Sequence, residues 1–150
     1  MSSSQIFTHW HQVRADLLTL IDQFSDDELA YVPFAGSWSV GQIILHIAEA
    51  EEGWIRYAIL RQLEKWPEPH QPQEFPTTAA LKSALTKVHE QTEQYLDSLD
   101  ETHLIQWIDL PWDECQPLLD IIWHVVEHEI HHRGELSLIL GLLGHTGLDL

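Results

Sequence analysis

Residues 118–143 read LLDIIWHVVEHEIHHRGELSLILGLL, with Pro117 just before them and Gly144 just after. A proline is suited to open a helix, because its missing N–H would have had no intrahelical partner there. A glycine is a natural stop. The spacing predicts one long helix from Pro117 to about Leu143. Within it His124, His128, His131 and His132 crowd a short stretch. Residues four apart on a helix differ by about 40° in azimuth and one turn in height, so their side chains meet. His128 and His132 can share one ion, as can His124 and His128. Leu136, Ile139 and Leu140 continue near this face, which turns the imidazoles toward an interior. His131 is rotated by roughly 100° from His132 and does not readily join the same site.

Three further helical stretches precede this one. The first runs from about Ser4 to Phe24, with Ile6, Trp10, Val13, Leu17, Leu20 and Phe24 on one face. Ser25 and Glu28 form a capping box for a short turn after it. The second, capped by Ser39 and Gln42, is predicted from Val40 to about Lys65. The third runs from about Thr78 to Leu99 on the seam Leu81, Leu85, Val88, Tyr95 and Leu99, with Thr92 polar in the series. Between the second and third, Trp66 to Pro76 carries four prolines and must be a non-helical crossover. Asp100 to Gln116 reads as a mixed connector with one helical turn, broken by Pro111. Little in the chain alternates like a strand. The expectation is a single all-α domain over residues 1–150, a four-helix bundle. Two of its three joints are long, so plain up-down-up-down order does not follow.

His46 is the one other histidine in mid-helix on an apolar stripe, among Ile43, Ile47, Ala50 and Trp54. If the second and fourth helices are neighbours, His46 completes a three-histidine set with His128 and His132. Three neutral imidazoles leave a divalent ion with open positions, the mark of a reactive centre. His124 is the candidate for a fourth ligand that would close it. His9, His11, His70, His89, His103 and His145 read as solvated or local hydrogen-bonding residues. The run from His128 to His132 also matches the zinc-protease pattern H-E-x-x-H, with Glu129 as general base. Its extended form needs Gly and His where this chain has Glu135 and Leu138, so a protease is disfavoured.

Composition narrows the class. Against 24 acidic residues stand seven basic ones, a formal net charge of -17 with histidines neutral. Such a surface repels phosphate backbones and anionic lipid, so neither nucleic acid nor membrane is expected as a partner. No run approaches the roughly 18 apolar residues of a membrane span, and Met1 to Arg14 lacks the pattern of a signal peptide. The lone cysteine, Cys115, excludes an internal disulfide and reads as incidental. A cytoplasmic location is expected.

The segments Ser37-Trp38-Ser39-Val40 with His46, His128-Glu129-Ile130-His131-His132-Arg133-Gly134, and the closing Gly144-His145-Thr146-Gly147-Leu148-Asp149 resemble the DinB/YfiT-like family of metal-dependent enzymes. The resemblance spans nearly the whole chain. It implies an up-down-down-up four-helix bundle, often a homodimer. It also implies a zinc or nickel ion on His46, His128 and His132. Glu135 stands where that family usually has Gln. Some relatives are thiol S-transferases or thiol-dependent isomerases that use a low-molecular-weight thiol. The activity so implied is metal-dependent thiol transfer to a small-molecule electrophile. The alternatives are a hydrolase that activates water at the same ion, and a bundle that binds metal or ligand without catalysis. Glu49 and Glu135 are candidates to orient the ligand rings. Gly134, inside a helix where glycine costs about 1 kcal/mol against Ala, is expected to mark close approach of another backbone, within the chain or across a dimer.

Overall fold

The computed structural model describes residues 7–148, and the start of the first predicted helix, Ser4 to Ile6, lies outside them. Helix α1 spans Thr8–Ile21 and buries Trp10, Val13, Leu17 and Leu20, the face its spacing dictates. A 3-10 turn, Asp26–Ala30, follows on the Ser25–Glu28 capping box. Helix α2, Val40–Glu52, starts on a second box. The Ser39 N–H donates to Gln42 Oε1 at 2.9 Å, and the Gln42 N–H donates to Ser39 Oγ at 3.3 Å.

Helix α2 does not run to Lys65. It loosens into a π turn over Gly53–Ile59 and ends at Leu60, where Arg61 takes a left-handed φ of 55°. The cause is the returning crossover. Trp66 lies against Gly53 so closely that a Cβ there would sit 2.4 Å from the indole. The crossover then makes a 3-10 turn at Pro72–Glu74 and enters helix α3, Thr78–Asp97, through an N-cap at Thr77.

The connector before the last helix holds more order than its sequence suggests. Asp100 caps the expected helical turn, α4, at Glu101–Leu104. Two short strands that the sequence reading lacked follow, β1 at Trp107–Asp109 and β2 at Cys115–Pro117. They pair antiparallel with Trp107 opposite Pro117 and Asp109 opposite Cys115. The N–H of Leu110 donates to the Glu114 carbonyl at 2.7 Å and closes the hairpin. Three residues per strand are too few for an alternating pattern to register. Helix α5, Leu118–Leu142, follows with Pro117 as its N-cap, and Gly144 ends it at a φ of 87°.

Helix α2 packs on α3 and α5, and α1 packs on α5 and α3. Pairings fix the directions. From N- to C-terminus α1 meets α5 in step, Phe7 beside Trp123, Arg14 bonded to Glu129 and Asp16 to Arg133. Helix α2 runs against α5, with His46 near His132 and Trp54 near His124. Helix α3 runs against α1, since Asp22 pairs with Lys82 and His11 stacks on His89. The bundle is therefore up-down-down-up.

Its core falls into two main apolar layers. One gathers Leu17, Leu20, Ile43, Ile47, Leu81, Leu85, Leu136 and Leu140; the other gathers Phe7, Trp10, Val13, Leu96, Ile122 and Val126. In sequence, Arg14, Glu51, His89 and Glu129 each fall between the residues their helices give to the two layers, and all four are buried. Arg14 donates from Nε to Glu129 Oε1 (2.8 Å), from Nη2 to Glu51 Oε2 (2.6 Å) and from Nη1 to the Leu85 carbonyl (2.9 Å). Trp10 Nε1 donates to Glu129 Oε2 at 2.7 Å. Burial works against charge on Glu51, but Arg14 and the His89 hydrogen bond outweigh it and hold that carboxyl at about 2. Thr92, the polar member of the α3 seam, is buried and adds to that lowering.

Candidate metal centre

The seam between α2 and α5 brings His46, His128 and His132 together. Each offers one ring nitrogen, and the three nitrogens lie within 4.8 Å of one another. His46 Nε2 and His128 Nε2 are 3.0 Å apart. The His132 ring centroid lies 4.9 Å from that of His46 and 4.5 Å from that of His128. Two successive turns of α5 supply His128 and His132, as the four-residue spacing requires.

The donor set suits a divalent cation, which needs deprotonated imidazole lone pairs. Burial and then the neighbouring rings, His132 first, push His128 down to about 3. Burial, reinforced by His132, also lowers His46. Both rings are thus neutral at ordinary pH. His132 Nδ1 donates to Glu135 Oε2 at 2.8 Å, which leaves its Nε2 as the lone pair. A carboxylate behind a ligand imidazole fixes the ring's orientation and tautomer. Glu135 makes that contact with the His132 ring.

Other sequence-level candidates fall elsewhere. Glu49 is buried, but it accepts the backbone N–H of His70 at 2.6 Å and so pins the crossover. His124 does not join the triad; it stands exposed with its ring 4.9 Å from that of Trp54. His131 is exposed beside His132, near Glu135 and outside the triad. Glu129, the general base of the protease reading, is committed to Arg14 and Trp10. Cys115 is exposed on β2, and desolvation with the Asp109 carboxylate pushes its thiol up, the wrong direction for a nucleophile. Gly134 is exposed, and a Cβ there would meet nothing within 4 Å among the described residues, so no other described element approaches it.

Sequence reading passed over Arg14 and Glu51. For Arg14 a signal existed: it lies four residues after Trp10 and three before Leu17, on the apolar stripe itself. A cavity of about 150 Å³ reaches His46, lined also by Trp38, Gln42, Leu45, Glu49, Pro69 and His70. Trp38, half-exposed, packs its ring 4.6 Å from that of His46. Among the described residues no helix is long and apolar enough to cross a membrane.

An up-down-down-up helical bundle with three histidines gathered on its α2–α5 seam defines the class. Residues 1–149 match the DinB family, and the chain belongs to it. The uncharacterized protein YjoA of Bacillus subtilis (strain 168) is 27% identical over 149 residues, covering 97% of this chain and 94% of YjoA. The crystal structure of YjoA superposes with a TM-score of 0.76 at 23% identity, covering 97% of this chain and 96% of that one. A DinB-like protein from Bacillus cereus ATCC 10987 gives a TM-score of 0.75 at 17% identity, with 96% and 94% covered. YfiT from Bacillus subtilis, described as a probable metal-dependent hydrolase with an unusual four-helix bundle topology, gives 0.62 at 20% identity, with 93% and 87% covered.

Proposed function

We propose that this protein is a metal-dependent enzyme whose divalent ion, zinc or nickel, is held by His46, His128 and His132. The reaction proposed is transfer of a low-molecular-weight thiol to a small electrophile. The observation that carries the reading is the convergence of three imidazole donors, one of which, His46, lines a cavity. His124, which would have closed the coordination shell, is not among the converging donors. Bound there, a divalent ion supplies Lewis acidity that makes a thiol or a water nucleophilic near neutral pH.

The protein's own groups do the positioning. Glu135 holds the His132 ring, and the Trp38 indole covers one side of His46. The cavity is below the roughly 300–1,000 Å³ of drug-sized ligand sites, so it suits a small reacting group with the rest of the substrate outside. Hydrolysis is the second reading, favoured by the description of the structural relative YfiT.

Metal analysis of the purified protein, followed by parallel assays on the loaded enzyme, tests the proposal. Loss of free thiol in the presence of an alkylating electrophile supports transfer. Hydrolysis of small esters or amides without thiol consumption supports the second reading. Failure to retain any divalent ion would overturn both.

A further inference from the structure

A second group of metal-ligating side chains lies away from the triad, where α1 faces α3. His11, His89 and Glu93 each offer a donor atom, again within 4.8 Å of one another. His11 Nδ1 lies 2.7 Å from Glu93 Oε1, and His89 Nε2 lies 3.5 Å from the same oxygen. His89 is buried, with a relative exposure of 6%. Its Nε2 is sealed from solvent without a hydrogen-bond partner among the described residues.

Its other nitrogen explains why that matters. His89 Nδ1 lies 2.8 Å from Glu51 Oε1, and Glu51 is an anion locked to Arg14. An ionised carboxylate only accepts, so Nδ1 carries the hydrogen. In the neutral ring Nε2 is then a bare lone pair, and it faces the oxygen of a second carboxylate. A buried lone pair facing a carboxylate oxygen is unfavourable unless a cation or a proton lies between them. The adjoining void of about 10 Å³, lined also by Phe7, Trp10 and Leu96, has room for little more than one small occupant.

We infer that His11, His89 and Glu93 form a second divalent metal site, of the zinc type, that ties α1 to α3. Two imidazoles and a carboxylate are a known zinc donor set. A lone proton on His89 would need only Glu93, whereas here a third donor, His11, also converges. Glu51 stands behind His89 as Glu135 stands behind His132, a carboxylate fixing the ring so that the opposite nitrogen faces the ion. The two sites share no residue.

The test is zinc stoichiometry of the full chain, stripped of metal and then dialysed against micromolar free zinc. Two ions per chain are expected in the unaltered protein. His11→Ala and Glu93→Gln, both at partly exposed positions, should each reduce the count to one, and His9→Ala should leave it at two. His128→Ala should also leave one, and His11→Ala combined with His128→Ala none. Ring-nitrogen NMR gives an independent readout, in which the His89 Nε2 resonance moves from a free lone pair to a metal-bound position as zinc is added. A count unaffected by both His11→Ala and Glu93→Gln would overturn the site. So would an Nε2 resonance that stays protonated or unshifted at saturating zinc, which would mean that a proton or a water fills the void.

Discussion

The Glu129 carboxylate accepts Arg14 Nε at 2.8 Å across the α1–α5 seam, and its second oxygen accepts Trp10 Nε1 at 2.7 Å. One residue away, His128 points instead into the α2–α5 seam toward His46. Adjacent positions on a helix point about 100° apart, so the His-Glu pair of this motif serves two different faces. Glu129 belongs to the charged belt through the middle of the bundle.

That division of labour makes Glu129→Gln a stability variant. It should lower the urea midpoint and leave metal content unchanged. Arg14→Met should cost more, roughly 3–5 kcal/mol, because it leaves two buried carboxylates without their counter-ion. Unfolding curves and metal analysis on the same preparations check both. Loss of metal in Glu129→Gln at full stability would contradict this assignment.

The belt also sets an acid limit. The Glu51 carboxyl is held at about 2, against an ordinary 4.5. Its folded-state value is depressed, so its contribution is fully present above about pH 4.5 and is lost as pH falls toward 2. Complete loss amounts to roughly 3 kcal/mol. Comparing stability from pH 6 downward in wild type and Glu51→Gln isolates this group. The unaltered protein should lose stability more steeply below pH 4.5, and parallel curves would show that Glu51 is not the source.

At the triad, His128→Ala or His132→Ala should remove most of the ion bound there, while His131→Ala should retain it. Glu135→Gln should weaken affinity by about 10- to 100-fold, as is typical when the carboxylate behind a ligand imidazole is lost. Competition with a chromophoric chelator measures all four variants. Unchanged affinity in His128→Ala would remove the basis of the ligand set.

For Gly134 the expected sign is a gain. The space around its missing Cβ is open, so Gly134→Ala should stabilise by up to roughly 1 kcal/mol through helix propensity and a less disordered unfolded chain. A lower melting temperature, with the chain at the same oligomeric state, would point to a neighbour outside this chain.

How much of this could be read from the sequence depends on the length of each signal. Long apolar seams placed α1, α3 and α5 to within a few residues, and Ser39 with Gln42 marked the start of α2. The His46, His128 and His132 cluster was legible because two of its members sit four apart on one helix. The end of α2 was not, because Trp66 reaches back to Gly53 from thirteen positions on, and local periodicity carries no trace of that contact. The β1–β2 hairpin was too short to register. His89 was read as solvated or locally hydrogen-bonded because its partner, Glu51, belongs to a different helix. Within the described residues Gly134 marks no close approach, since a helix can carry a glycine with nothing of its own chain pressed against it.

The crossover has a consequence for how such a bundle can change. A proline-rich connector between two parallel helices looks like slack chain, where insertions are absorbed cheaply. Here it is fastened by Trp66 against Gly53 and by the His70 N–H on Glu49, and Phe75 packs against the core. Pro69 and His70, between those fastenings, form part of the cavity wall beside His46. An added or deleted residue there would shift the wall of the cavity while leaving the histidine seam untouched. On the proposed function, the molecules admitted beside His46 would change with the length of one loop while the histidine seam stays fixed, and grafting experiments that seek a new specificity should begin between Trp66 and His70.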